Sequence, residues 1–257
     1  MKRFFEHMGL VAIILFSFFY TERAALLVQS KSPIMESINE AVLEEETSYV
    51  NAEINGNTII PGAYGSTVNT EKSYLKMKDF GVFNRYYLVY DEVKPEVSID
   101  DNKEKIIVKG NKQKKSVAII INGNNKIKNY LNQNNIPASE LVNESNVETN
   151  LEPINNADEK TEFNNIESIL NKNKNNVNIC LINSNNKDTC IKNKKYLVKE
   201  TITLNSTNIV ETKKVVEAGA IFLISESARL EDFNLLIKEI SYKDLKIIYL
   251  SELISEK

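Results

Sequence analysis

The sequence predicts an α/β fold with a parallel sheet, and three observations carry that prediction. From Ser116 onward, apolar runs of strand length alternate with segments of helical periodicity, the order that crossover connections and parallel pairing produce. Val117-Ala118-Ile119-Ile120-Ile121 is unbroken apolar sequence, as expected of a strand buried on both faces. Leu230, Phe233, Ile237 and Ile240 fall on one helical face between two further strand runs, Ala220 to Ile224 and Leu245 to Leu250.

The remaining elements follow in order. Lys2 and Arg3 precede Met8 to Tyr20, thirteen uncharged residues rich in Phe, Leu and Ile. As a helix these reach about 20 Å against a hydrocarbon core of about 30 Å. Phe4 and Phe5 are therefore expected to lengthen the span, giving membrane contact over residues 4–20 and an anchor over residues 1–23. The basic end stays inside, so the chain is expected to cross a cell membrane once with its C-terminal part outside. A cleaved signal peptide has the same apolar length, but Glu22-Arg23-Ala24-Ala25 fits poorly the small residues that cleavage needs. Both readings export the chain.

Ile34, Ile38, Val42 and Leu43 give residues 24–50 helical character, read as a juxtamembrane spacer. Residues 51–111 read as a small α+β module, mainly β. Turn clusters at Asn55-Gly56-Asn57 and Pro61-Gly62 lead to a helix from Val68 to Gly81, then strand runs at Tyr86 to Tyr90, Glu96 to Ile99 and Lys105 to Val108. The main domain is residues 112–257. In it a helix is expected at Lys126 to Asn134, a long polar loop at Asn143 to Thr161, and a helix at Phe163 to Leu170. Strands at Val177 to Ile182 and Lys195 to Val198, a helix at Ile209 to Glu217, and a final turn capped by Ser251 complete it.

Composition excludes several functions. With 32 basic and 35 acidic residues the net charge is −3, no footprint for nucleic acid. His7 is the one histidine and precedes the apolar run, so the exported part holds no His-based triad, two-His metal site or His proton shuttle. No cofactor is expected. Cys180 and Cys190 are ten residues apart; outside the membrane they form either a disulfide or two buried thiols. Tyr86, Tyr87 and Tyr90 offer either strand packing or an aromatic surface for sugar rings.

Four stretches carry a family resemblance. They are Asn55-Gly56-Asn57-Thr58-Ile59-Ile60-Pro61-Gly62 with Val68-Asn69 and Lys72-Ser73-Tyr74; Leu88-Val89-Tyr90 to Pro95 with Ser98-Ile99 and Lys109-Gly110-Asn111; Lys115 to Ile121; and Glu217-Ala218-Gly219-Ala220-Ile221-Phe222-Leu223-Ile224 with Ile248-Tyr249-Leu250-Ser251-Glu252-Leu253. In these the chain resembles membrane-anchored polysaccharide deacetylases of the NodB homology type, the family-four carbohydrate esterases. The resemblance implies a degenerate or incomplete NodB-type (β/α) barrel behind a small module and a transmembrane helix.

It also implies a site and its loss. The family removes an N-acetyl group from an envelope sugar, using a metal held by an Asp and two His, a second Asp as base and a late His as acid. Its first strand ends in Thr-Phe-Asp-Asp-Gly-Pro, and the matching stretch here is Ile120-Ile121-Asn122-Gly123-Asn124-Asn125. Asn122 stands at the base, no carboxylate follows at Gly123, no His pair has a counterpart, and Ser225 lies near the late His position. An amide neither takes a proton at neutral pH nor binds a hard cation well. The resemblance thus implies no catalytic residue and no metal site, with binding of envelope glycan or an envelope protein in their place. An active deacetylase with a non-standard site and a structural spacer are the alternatives.

Overall fold

The computed structural model describes residues 2–257. The side chains of residues 2–7, Leu10, Glu22 and Ala25 lie outside the described part, and with them the roles expected of Phe4, Phe5 and His7. In chain order the first elements are α1 (Lys2–Ser30), α2 (Pro33–Glu45), β1 (Glu53–Asn55), β2 (Thr58–Ile60), β3 (Gly65–Val68), α3 (Thr70–Met77), β4 (Tyr90–Val93) and β5 (Ile106–Ile107). Then come β6 (Ser116–Ile121), α4 (Asn125–Gln133), β7 (Ser139–Val142), β8 (Glu152–Asn155), α5 (Lys160–Lys172), β9 (Ile179–Leu181), α6 (Lys187–Lys192) and β10 (Tyr196–Val198). The last are β11 (Ile202–Leu204), α7 (Ile209–Lys214), β12 (Ile221–Ile224), α8 (Leu230–Tyr242), β13 (Lys246–Ile248) and α9 (Leu250–Ile254).

Contacts divide the chain into two units, Met1–Ser48 with Gly65–Val93 and Tyr49–Tyr64 with Lys94–Lys257. In the first, α1 contains a stretch, Val11–Ser30, long and apolar enough to cross a membrane. The helix runs on past residue 23, where the anchor is expected to end, into the helical character expected of residues 24–50. Ala24-Ala25-Leu26-Leu27 are strong helix formers and no Gly or Pro interrupts them. It ends before Ser32, whose hydroxyl accepts the Met35 N–H at 3.2 Å and caps α2, with Pro33 at the first helical position. Ile34, Ile38 and Ala41 of α2 pack with Val68, Met77 and Leu88, and β3 pairs antiparallel with β4. Tyr86 to Tyr90 is not a strand. Asn84 Oδ1 accepts the Tyr86 N–H at 3.0 Å and sets a tight turn at Arg85–Tyr87, leaving Tyr86 exposed and Tyr87 stacked on Phe80.

The second unit has two sheets. One has the order β11-β12-β6-β7-β8, with β13 also pairing β6, and every ladder in it is parallel. The other has the order β1-β2-β5-β10-β9, parallel except for the β1–β2 hairpin. Strands expected in a separate module over residues 51–111 therefore join a larger sheet, β5 pairing with β10 near residue 196. No named ladder joins β8 to β9 among the described residues, so the architecture is α/β with an incomplete barrel.

Every residue of β6 is buried. Ala118 and Ile120 face an interior cluster with Ile59, Ile107, Ile154, Ile179, Val198, Ile221 and Leu250. Val117, Ile119 and Ile121 face α4 and α8 through Ile127, Leu131, Phe233 and Leu236. Each such isoleucine contributes about 1.5–3 kcal/mol on burial, which is why an unbroken apolar run specifies the central strand.

Three expectations fail locally. Glu96 to Ile99 forms no strand, because the Val97 N–H goes to Asn51 Oδ1 at 3.0 Å and its carbonyl accepts from the Ala52 N–H at 2.9 Å. The expected loop from Asn143 to Thr161 contains β8, which tolerates Pro153 because only one of its edges is in a ladder. Ser251 does not cap α9. Leu250 N–H donates to Ser139 Oγ at 3.3 Å and Ser251 N–H to Glu152 Oε2 at 3.2 Å, so β7 and β8 supply the cap. Gly219, at φ +87°, is required where it stands: a Cβ there would lie 2.6 Å from the Gly110 carbonyl oxygen.

Candidate functional site

The C-terminal ends of the parallel strands form the edge on which open α/β sheets carry their sites. Three of them, β7, β9 and β11, end in the same device. Asn143, Asn183 and Asn205 each donate a backbone N–H to the side chain of the Asn three residues on, at 2.6, 2.9 and 2.9 Å. Those second residues, Asn146, Asn186 and Asn208, return Nδ2 to the carbonyls of Leu141, Leu181 and Thr203 at 3.3, 3.1 and 2.8 Å. The first Asn of each pair also accepts the N–H two residues ahead, from Ser145, Asn185 and Thr207. Each turn thereby satisfies its own backbone groups, and the one after β9 also donates from Asn183 and Asn185 to Asp158 and from Asn186 to Asn156. The repeated Asn-x-x-Asn after an apolar run was the signal that sequence reasoning did not use.

The residues expected at the family's stations come together on this edge. Asn122 follows β6, with its side chain exposed and its N–H on the Ile224 carbonyl at 2.9 Å. Gly123 is at φ +69° with open space where a Cβ would be. Ser225 follows β12, its N–H on the Leu204 carbonyl at 3.0 Å and its hydroxyl 3.0 Å from that of Ser227. Asn124, not anticipated, locks them together. Its Nδ2 donates to the carbonyls of Ser225, Glu226 and Ala228 at 3.1, 3.1 and 3.0 Å, while its Oδ1 caps α4 through the Ile127 N–H at 3.1 Å.

Among the described residues carboxylates do not converge there. Glu140 pairs in register with Ile121 and is buried, but it is held by Lys128 at 2.7 Å and by Thr149, on the helix-covered face. Among the described residues no group of three or more His, Cys, Asp or Glu is placed to hold a metal ion. Around Asn122 and Ser225 the donors are amides and hydroxyls, and carboxylates stand singly, Glu226 beside Ser225 in the chain and Asp158 on Asn183 and Asn185, a set that does not fit a hard divalent cation. The residues present offer hydrogen bonds to a polar ligand. Cys180 on β9 and Cys190 on α6, both buried, are joined by a disulfide with Cα atoms 6.1 Å apart.

No family model matches the sequence. Over 94 residues, 36% of the chain, it is 42% identical to the uncharacterized protein YlxY of Bacillus subtilis (strain 168), and the match spans 30% of that protein. In three dimensions it is similar to wild-type BA3943, a CE4 family pseudoenzyme from Bacillus anthracis. The TM-score is 0.61 at 19% identity, over 87% of this chain and 95% of that one. A BA3943 mutant described as having restored enzymatic activity aligns equally well, with TM-score 0.61 and 19% identity over 87% of this chain and 98% of that one. The expected architecture and this likeness agree: the chain has the polysaccharide deacetylase-like fold of the CE4 proteins.

Proposed function

We propose that the chain is a membrane-anchored, extracytoplasmic deacetylase relative without catalytic activity, binding envelope glycan. One observation carries the reading: on a deacetylase-like scaffold, Asn122, Gly123 and Ser225 occupy neighbouring places where the family's resemblance calls for carboxylates and histidine. The apolar stretch of α1 supports anchoring, and Lys2 and Arg3 ahead of it support an outward-facing remainder.

Retention of the detergent-solubilised chain on purified peptidoglycan, against a heat-denatured control, tests the binding. Equal retention of both would reject it. Incubation with N-acetylated glycan tests the vacancy: release of acetate above a blank, sensitive to a chelator, would establish an enzyme instead. Capture of a single envelope protein with no retention on glycan would favour the protein-partner form of the same reading.

A further inference from the structure

A cavity of about 300 Å³ opens in the second unit, at the opposite end of the parallel strands from Asn122 and Ser225. Its place follows from the fold: Tyr196 and Ile179 begin β10 and β9, and α9 lies beside them. Tyr64 and Tyr196 line it together with the acidic residues Asp100 and Glu256, the polar residues Asn178 and Ser251, and Lys257. The volume is at the lower limit of small-ligand sites, which begin at about 300 Å³.

Three features define what such a cavity takes. Both rings already attract ammonium groups: Lys103 Nζ lies 5.0 Å from the centroid of Tyr196, and Lys257 Nζ lies 5.4 Å from that of Tyr64. The acidic groups are built in. Glu256 is buried, accepting the Gly62 N–H at 3.0 Å and the Ile99 N–H at 3.2 Å, and Asp100 accepts from the Tyr196 hydroxyl. Asn178 and Ser251, polar residues in the same lining, suit a ligand with its own hydroxyls, which a lysine side chain lacks.

We propose that this cavity binds a sugar ring carrying a free primary ammonium, with the ammonium toward the Asp100 and Glu256 carboxyl groups and the apolar face of the ring on tyrosine. This rests on the glycan reading above and gives it a place and a chemistry: a de-N-acetylated amino sugar, distinct from an acetylated one that has no charge to offer.

The full chain in detergent is titrated with a tetramer of β-1,4-linked glucosamine, its fully N-acetylated counterpart and tri-lysine, with intrinsic tyrosine fluorescence as the readout. The amine tetramer is expected to bind about tenfold more tightly than the acetylated one. It should weaken about tenfold in each of Asp100→Asn and Tyr64→Ala, and be unchanged in Tyr242→Ala, which alters an exposed ring at the end of α8. Asp100 is exposed, so its variant leaves the core intact. Acetylated tetramer binding as tightly, or amine tetramer binding unchanged in both cavity variants, overturns the proposal while leaving the glycan reading in place. Tri-lysine binding as tightly as the amine tetramer overturns it in favour of a basic-peptide site. Amine-tetramer binding with no retention on peptidoglycan upholds the cavity and rejects the wider reading.

Discussion

Asn124 allows the edge architecture to be tested by its energetics. Its Oδ1 caps α4, while Nδ2 supplies two hydrogens to three carbonyls located 101 to 104 residues along the chain. Replacement by alanine removes both functions. A cap contributes about 1 kcal/mol and an orphaned buried acceptor costs about 1–3 kcal/mol, so Asn124→Ala is expected to lose about 2–4 kcal/mol. Asn124→Asp separates them. Aspartate is as good a cap as asparagine, but its second oxygen cannot donate and would face three carbonyl oxygens. With that side buried, the unpaired charge is expected to cost about 3–5 kcal/mol at neutral pH. A carboxyl so placed has its folded-state pKa raised above the unfolded value of about 3.9. Between those two values the folded chain holds a proton that the unfolded chain has released, so stability falls as pH rises through the window and returns on acidification. Urea unfolding followed by far-UV circular dichroism at pH 7 and near pH 4 measures both effects. An aspartate variant within about 1 kcal/mol of the parent at pH 7, beside a strongly destabilised alanine variant, would reduce Asn124 to a helix cap and refute the clamp.

The neighbouring Asn122→Asp, on an exposed side chain, is expected to change stability by no more than about 0.5 kcal/mol in the same assay; a loss equal to that of Asn124→Asp would make the position structural. Reduction of Cys180–Cys190 should lower the urea midpoint by the equivalent of about 3 kcal/mol for so short a loop, and an unchanged midpoint in reductant would show that the bridge contributes nothing. Burial pushes the Glu256 carboxyl up from the ordinary range, against the pull of the Gly62 and Ile99 amides. Its contribution to stability should therefore decline as pH rises from the ordinary carboxylate pKa through the raised one. The slope should flatten in Glu256→Gln; identical pH profiles for the two proteins would remove Glu256 as the cause. Lysine at Ile14, within the candidate membrane-crossing stretch, should disfavour insertion by about 2.5–3.5 kcal/mol and move the chain out of the membrane fraction. Unaltered fractionation would argue against a spanning α1.

What was legible in the sequence was what depends on near neighbours. The β6 run and the α8 stripe state their burial within a few residues, and both form where expected. β8 and β11 do not state theirs: Glu152-Pro153-Ile154-Asn155 and Ile202-Thr203-Leu204 are short, mixed segments that become strands only beside β7 and β12. The same holds for β2 and β5, which local turn signals assigned to a separate module and which pair instead toward a strand about ninety residues away. At the edge, Asn122 and Ser225 could be named from the resemblance alone. Asn124 could not, because an asparagine before a helix reads as a cap and its three acceptors arrive from beyond β12.

The amides at this edge have a physical logic of their own. A carboxylate at a strand end has acceptors only and needs donors or a cation to balance it. An amide carries both kinds of group, so Asn183 and Asn186 close the turn after β9 and also donate to Asp158 and Asn156 beyond β8 with no cation. The same chemistry appears after β7 and β11, and in another form at Asn124. An edge built this way gains rigidity from its own side chains and leaves its exposed positions, Asn122 among them, free of structural duty. That separation turns the contrast between Asn122→Asp and Asn124→Asp into a test of the whole edge. If the clamp holds and the station does not, the scaffold is maintained independently of the chemistry that its family resemblance implies.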